Sequence, residues 1–140
     1  RFLSCRFLSC KSISRDCGQA MVEFALLLPV LVLLVMGVLD IGRAWSTQQV
    51  VVNAAREGAR AGIIPSSTTA TVAAAVNVYI TSAGGMAGCA TSSTNVGTAA
   101  AAGTATTATV TCPFTVLVGT VVPGWSGTFS LSHTATMRHE

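Results

Sequence analysis

The most constraining feature of this chain is an apolar run bounded by two carboxylates. Every residue between Glu23 and Asp40 is apolar, glycine or proline. A helix buried in a soluble core would show a polar face, and this run shows none. The run is slightly shorter than the ~20 residues that cross a bilayer, and it reaches that length when its flanking residues are included. It therefore predicts a membrane-spanning helix.

A cleaved secretory signal is the alternative, because the residues ahead of the run are basic. The segment from Leu39 to Arg43 contains no small-residue cleavage site, which favours a helix that is kept as an anchor. The positive-inside bias then predicts a cytoplasmic leader and an outer domain beyond Asp40. We divide the chain into a basic leader at residues 1–18, a long hydrophobic helix at 19–62 and a small extracytoplasmic domain at 63–140. The sequence Arg-Phe-Leu-Ser-Cys occurs twice in succession in the leader, and we assign no function to this repeat.

The outer domain is almost without charge. No Asp, Glu, Lys or Arg occurs from Ala61 to Met137. Nucleic-acid binding needs clustered basic side chains and is disfavoured. An uncharged surface also offers little repulsion against self-association. Cys89 and Cys112 are the only cysteines of this domain. Two cysteines on the oxidising side of a membrane are expected to form a disulfide, which would add ~3 kcal/mol of stability in the chain-entropy model.

The predicted fold is α+β and consists of a long helix, a short helix and a small antiparallel sheet. The long helix is expected from about Ala20 to Arg60, with a kink at Pro29. The short helix is expected from Ala70 to Thr81, and Gly84-Gly85 should end it. Residues 90–103 are rich in Ala, Thr and Ser and suggest a loop or a weak strand.

Three small residues at four-residue spacing predict close packing on the long helix. Ala54, Gly58 and Gly62 form a ridge that would let a helix, a sheet or a neighbouring subunit approach the backbone. Alternation of apolar and hydroxyl residues predicts two later strands. The predicted apolar face of the first strand contains Ala108, Val110, Cys112, Phe114, Val116 and Val118. That of the second contains Phe129, Leu131, His133, Ala135 and Met137.

Catalytic and metal chemistry have little support in the sequence. A Ser-His-Asp arrangement needs an acid to orient the histidine, and the outer domain has none before Glu140. His133 and His139 lack the further ligands of a zinc site. We predict no enzyme activity, no cofactor and a partly buried His133. Trp45 is a candidate interfacial anchor, and Trp125 is expected to fold back on the sheet.

Four motifs of the chain are typical of one protein family. They are Gly-Gln-Ala-Met-Val-Glu-Phe-Ala-Leu-Leu-Leu-Pro from Gly18, Asp40-Ile41-Gly42-Arg43, Asn53-Ala54-Ala55-Arg56-Glu57-Gly58-Ala59-Arg60 and Ala135-Thr136-Met137-Arg138. With these motifs the chain resembles the TadE-like family, the minor pilins or pseudopilins of the tight-adherence (Tad/Flp) branch of type IV pilus systems. The resemblance is dense over Gly18 to Gly62 and returns at Thr109 to Phe114 and at the tail. Cys112 stands where an aromatic residue would be expected in many relatives.

The resemblance implies processing and assembly roles for the start of the helix. A prepilin peptidase would cut between Gly18 and Gln19, and Glu23 would be the acidic residue that acts in processing or assembly. We assign Phe24 and Pro29 to assembly with Glu23. The implied partners are copies of the chain or related pilins, the prepilin peptidase, an inner-membrane assembly platform and, before assembly, membrane lipid.

These expectations define a leading function and one alternative. The leading function is a pilin-like subunit that is built into, or primes, a Tad-type pilus or related filament and supports adhesion. It implies a bacterial inner-membrane protein with a periplasmic outer domain, or an extracellular filament after assembly. The alternative is a membrane-anchored adhesin or binding module outside any filament, with the Ser/Thr-rich loop and Trp125 as its contact surface. Minor and major subunit roles both stay open.

Overall fold

The computed structural model describes residues 13–97, 103–120 and 127–138, and the side chains of 13–17 and 120 are not included. Contacts within the chain divide it into two units, one that ends at Val38 and one that begins at Leu39. The second unit contains the end of the long helix together with the short helix and the sheet. Residues 39–62 therefore pack in the second unit.

Helix α1 spans Ile13–Gly62 and begins earlier than the expected Ala20. Pro29 lies inside the helix, where it removes one backbone donor. Beyond the C-terminal end, the hydroxyl of Ser67 donates to the carbonyl of Ala61 at 2.5 Å, which satisfies one of the unpaired helix-end carbonyls.

Helix α2 spans Thr69–Ser82, and neighbouring residues in the sequence determine both of its ends. Thr68 caps the N-terminus by accepting from the backbone of Thr71, whose hydroxyl in turn accepts from the backbone of Thr68, and this is a capping box. At the other end the N–H of Gly85 donates to the Ile80 carbonyl at 3.0 Å. Gly84 and Gly85 have positive φ angles, so the predicted glycine stop is confirmed.

The sheet is antiparallel with strand order β1-β2-β3, from Ala90–Thr94, Ala105–Thr115 and Thr128–Arg138. β1 lies in residues 90–103, for which the sequence suggested a loop or a weak strand. Alternate β2 residues from Thr106 to Phe114 are buried. The helices and the sheet share one core, and the predicted α+β fold is confirmed. The core residues are Val51, Ala54, Ala55, Ala59, Val72, Val76, Ile80, Val96, Ala108, Val110, Cys112 and Ala135.

The end of β2 differs from the expected pattern. Val116 and Val118 were predicted to continue the strand, but β2 ends at Thr115 and a 3-10 turn forms over Val118–Thr120. The reason is tertiary, because the N–H of Val118 donates to the carboxylate of Asp40 rather than to a neighbouring strand. The expected turn at residues 123–126, including Trp125, lies outside the described residues.

Candidate functional site

The residues implied in processing and assembly lie on one exposed stretch of α1. Gly18, Gln19 and Glu23 are all exposed. Among the described residues, nothing lies within 4 Å of a Cβ built at Gly18, so none of them shields the expected cleavage site. The side-chain amide of Gln19 donates to Oε1 of Glu23 at 3.4 Å, one helical turn further on. Glu23 therefore faces the same side of the helix as the residue that would become the mature N-terminus.

The apolar run that follows Glu23 is exposed over most of its length. Phe24 is 60% exposed, and Leu26 and Leu34 are 71% and 66% exposed. The stretch from Gly18 to Gly62 contains a segment that is long and apolar enough to cross a membrane, judged by length and composition. Burying apolar surface is worth roughly 25 cal/mol per Å². The run therefore requires lipid or other apolar helices around it.

Asp40 ends the apolar run and has a role that sequence reasoning missed. Its side chain is buried, at 5% exposure. One carboxylate oxygen accepts from the N–H of Val118 at 3.0 Å, and the other accepts from the Arg43 guanidinium at 3.1 Å. The carboxylate thus connects α1 to the turn that follows β2. The sequence offered an aspartate with an arginine three residues later as a sign of this site. The other partner, Val118, lies 78 positions away, and no local motif marks it.

The surroundings of Asp40 keep its carboxylate ionised. Asp40 lies in the second unit, beyond the apolar run. Burial raises the pKa of Asp40, but the backbone N–H groups of Val118 and Leu117 and the Arg43 guanidinium lower it by more. The net result is an Asp40 pKa below the ordinary aspartate value. The charged form is therefore the one that this fold stabilises.

Arg43 also joins an aromatic cluster at the end of the sheet. Its guanidinium carbon lies 5.4 Å from the ring centre of Phe114, within cation–π range. The Phe114 ring in turn lies 5.1 Å from that of Phe129 on β3. A groove of about 380 Å³ opens beside the cluster and is lined by Arg43, Thr47, Gly85, Met86, Ala87, Pro113, Phe114 and Thr115.

The predicted small-residue ridge lies against the chain's own core. Ala54 is fully buried. A Cβ built at Gly58 would lie 2.7 Å from a methyl group of Val76, and one at Gly62 would lie 2.7 Å from a methyl group of Thr106. α2 and β2 of the same chain therefore occupy the ridge. A neighbouring subunit would have to contact other surfaces of the helix.

A disulfide joins Cys89 and Cys112, whose Cα atoms are 4.1 Å apart. Cys112 is fully buried in the apolar face of β2, and Cys89 packs against the same core. The bond fastens the segment between α2 and β1 to the central strand. It requires an oxidising compartment to form and persist.

The remaining candidates from the sequence are two histidines and Trp45. His133 is half-buried on β3, and His139 lies outside the described residues. Within residues 13–97, 103–120 and 127–138, no three His, Cys, Asp or Glu side chains are grouped as metal ligands would be. Trp45 is 71% exposed, which suits contact with a membrane interface.

Comparison with known proteins gives one match. The family model described as TadE-like protein matches residues 18–60. No curated protein and no solved structure matches this chain. The matched residues contain the expected cleavage site, the exposed apolar run, Asp40 and the helical residues that enter the core. The resemblance inferred from the sequence motifs is thereby confirmed over residues 18–60.

Proposed function

We propose that this chain, which carries the TadE-like region at residues 18–60, is a pilin-like structural or assembly subunit of a Tad-type pilus or related filament. The observation that carries the proposal is the exposed apolar run placed directly after Glu23. The family accounts for association with the Tad pilus. We add to this association that the chain polymerises into the filament or primes its assembly, and that it supports adhesion.

In this proposal the helix changes its surroundings during assembly. The leader is removed between Gly18 and Gln19 by a prepilin peptidase while the apolar run lies in the inner membrane. The assembly platform then transfers the subunit into the filament, where helices of other subunits replace lipid around Phe24 and the residues that follow. The exposed side chains of this run can contact either environment, because both bury apolar surface.

Glu23 is proposed to set the register between neighbouring subunits. A carboxylate that moves towards the bilayer centre costs a few kcal/mol on insertion scales, and a cation beside it reduces that cost. Cleavage after Gly18 would create such a cation, the α-amino group of Gln19 on an adjacent subunit. The exposure of Glu23, whose partner in this chain is the neutral amide of Gln19, leaves the carboxylate accessible for this pairing.

The test is Glu23→Gln, which removes the charge and keeps the shape of the side chain. Glu57→Gln is the matched control, because Glu57 is a second carboxylate of α1 outside the apolar run. We expect the Glu23 variant to be inserted in the membrane but to be missing from filaments or from the assembly complex, while the control assembles. Electron microscopy, co-purification and mass spectrometry of the subunit measure these outcomes.

Normal assembly and adhesion of Glu23→Gln would contradict the pairing. If purified wild-type material also contains no filament or assembly complex while cells still adhere, the membrane-anchored adhesin is the better description. Adhesion by a chain that stays in the membrane would support that alternative directly.

A further inference from the structure

The outer edge of β3 is a long stretch that no described strand pairs with. The sheet order places β3 at one edge, next to β2 alone. β3 has 11 residues, whereas β1 at the other edge has 5. An unpaired strand edge presents backbone donors and acceptors to any extended chain that approaches it.

The register shows which backbone groups of β3 point outward. Val116 donates to the carbonyl of Gly127 at 2.7 Å, so this pair belongs to the hydrogen-bonded set. Hydrogen-bonded and non-hydrogen-bonded pairs alternate along an antiparallel ladder. The odd-numbered residues of β3 therefore bond to β2, and the even-numbered residues direct their N–H and C=O groups to the free edge. Pro113, which has no N–H, faces the even-numbered Ser130, as this assignment requires.

This edge lacks the features that usually prevent pairing. Residues 128–137 contain no charged side chain, no proline and no glycine. Protective charges and prolines are common on natural edge strands. On the inner face, Leu131, His133 and Met137 are only half-buried, and no described strand lies beyond them. A second strand beside β3 would cover these side chains as well as the backbone groups.

We infer that β3 pairs antiparallel with β3 of a second copy of this chain, about a two-fold axis at His133. Centring the pair there brings the outward-facing residues opposite one another, Ser130 with Thr136 and Ser132 with Thr134. Each copy contributes these four residues. Their N–H and C=O groups form about eight backbone hydrogen bonds with the other copy. The two three-stranded sheets become one continuous sheet.

The side chains of β3 match this register on both faces. On the exposed face, the even-numbered residues from Ser130 to Thr136 place hydroxyl groups opposite hydroxyl groups, and Arg138 at the end of the strand lies opposite Thr128 of the other copy. On the other face Leu131 lies opposite Ala135 and Phe129 lies opposite Met137, and His133 meets its own copy at the axis. The strand is thus complementary to itself, and the absence of Asp, Glu, Lys and Arg from Ala61 to Met137 leaves little repulsion between copies. These features favour a second copy over an unrelated strand.

Amide hydrogen exchange on the full chain in nanodiscs tests the pairing, and it does not depend on filament formation. We expect the odd-numbered amides of β3 to be protected at every protein concentration, because they bond to β2. The amides of residues 130, 132, 134 and 136 should exchange at least tenfold more slowly as concentration rises. Association through α1 alone would not produce this alternation. Rapid exchange of the even-numbered amides at all concentrations would overturn the proposal.

Two charge variants test the register. Ser132→Lys/Thr134→Lys places lysine opposite lysine across the axis, and like charges directly opposite one another are destabilising. Ser132→Glu/Thr134→Lys places glutamate opposite lysine at the same positions. Both variants lose the Thr109–Thr134 hydroxyl contact equally, so each controls for the other. Protected odd-numbered amides verify that each variant is folded.

The expected result is that only the Glu/Lys variant keeps concentration-dependent protection of the even-numbered amides. If the Lys/Lys variant keeps it too, the pairing is not in this register and the inference is wrong. Loss of protection in the Glu/Lys variant would refute it equally. A Glu23→Gln chain should still pair through β3, which separates failure of this inference from failure of the proposed function.

Discussion

Gly58→Ala tests whether the small-residue ridge holds the helix against the domain. The new methyl group would lie 2.7 Å from Cγ2 of Val76 and 3.3 Å from Cβ of Ala108. Val76 is fully buried and β-branched, so its methyl group cannot rotate away easily. Inserting a methyl group into a filled core costs about 1–3 kcal/mol. Replacing glycine by alanine within a helix gains about 1 kcal/mol. The expected net effect is a loss of about 1 kcal/mol.

Gly42→Ala is the matched control in the same helix. Nothing lies within 4 Å of a Cβ built at Gly42, so only the gain in helix propensity applies. We expect the two variants to differ by about 2 kcal/mol in the free energy of unfolding. That corresponds to a Tm difference of roughly 8–16 °C for a domain of this size.

The assay is thermal and urea unfolding of the full chain in detergent, followed by near-ultraviolet circular dichroism. A Val76→Ala background should reduce the cost of Gly58→Ala by ~1 kcal/mol, because the closest contact is removed and neighbouring substitutions are coupled. If Gly58→Ala is as stable as Gly42→Ala, to within about 0.5 kcal/mol, the close packing described above is wrong.

Three further predictions concern Asp40, the disulfide and processing. Asp40→Asn should lower the Tm at neutral pH, because the lowered pKa of Asp40 means that its charged form stabilises the fold. That stabilisation is present above the unfolded-state pKa of ~3.9 and is lost as pH falls through the lower folded-state pKa. The Tm of the variant should therefore fall less than the Tm of the wild type when the pH is lowered. Reducing the Cys89–Cys112 bond, which closes a loop of sequence separation 23, should cost about 3 kcal/mol in urea unfolding. N-terminal mass spectrometry should find a mature chain that begins at Gln19, and Gly18→Leu should block cleavage, because a pocket shaped around glycine has no room for a branched side chain.

Each of these has an outcome that contradicts it. Identical acid profiles of Asp40→Asn and wild type would show that the carboxylate does not stabilise the fold through its charge. Two free thiols in native protein, measured by intact mass after alkylation, would exclude the disulfide in solution. An intact leader, or a cut beyond Leu39, would exclude cleavage after Gly18.

The elements of this fold could be predicted from local pattern. An apolar run with no polar face predicts a helix that can enter a membrane, because its whole surface must be buried in lipid or against other helices. The glycine pair at Gly84-Gly85 predicts a helix stop, since glycine adopts the left-handed conformation easily. Two-residue alternation predicts the buried face of β2 from Ala108 to Phe114 and the inner face of β3, although Phe129 of that inner face is exposed. The reason is that side chains of a strand alternate between its two sides.

The sequence by itself determined the α+β class, the anchor-like run and the cysteines that pair, since each depends on the identity of nearby residues. Only the tertiary structure decided what lies on the small-residue ridge. Small residues predict that another element packs closely there, but they do not identify that element. Likewise, the bond from Asp40 to Val118 ended β2 earlier than the alternation predicted. That bond joins residues far apart in the chain, and a hydrogen bond between distant residues forms only once folding has brought them together.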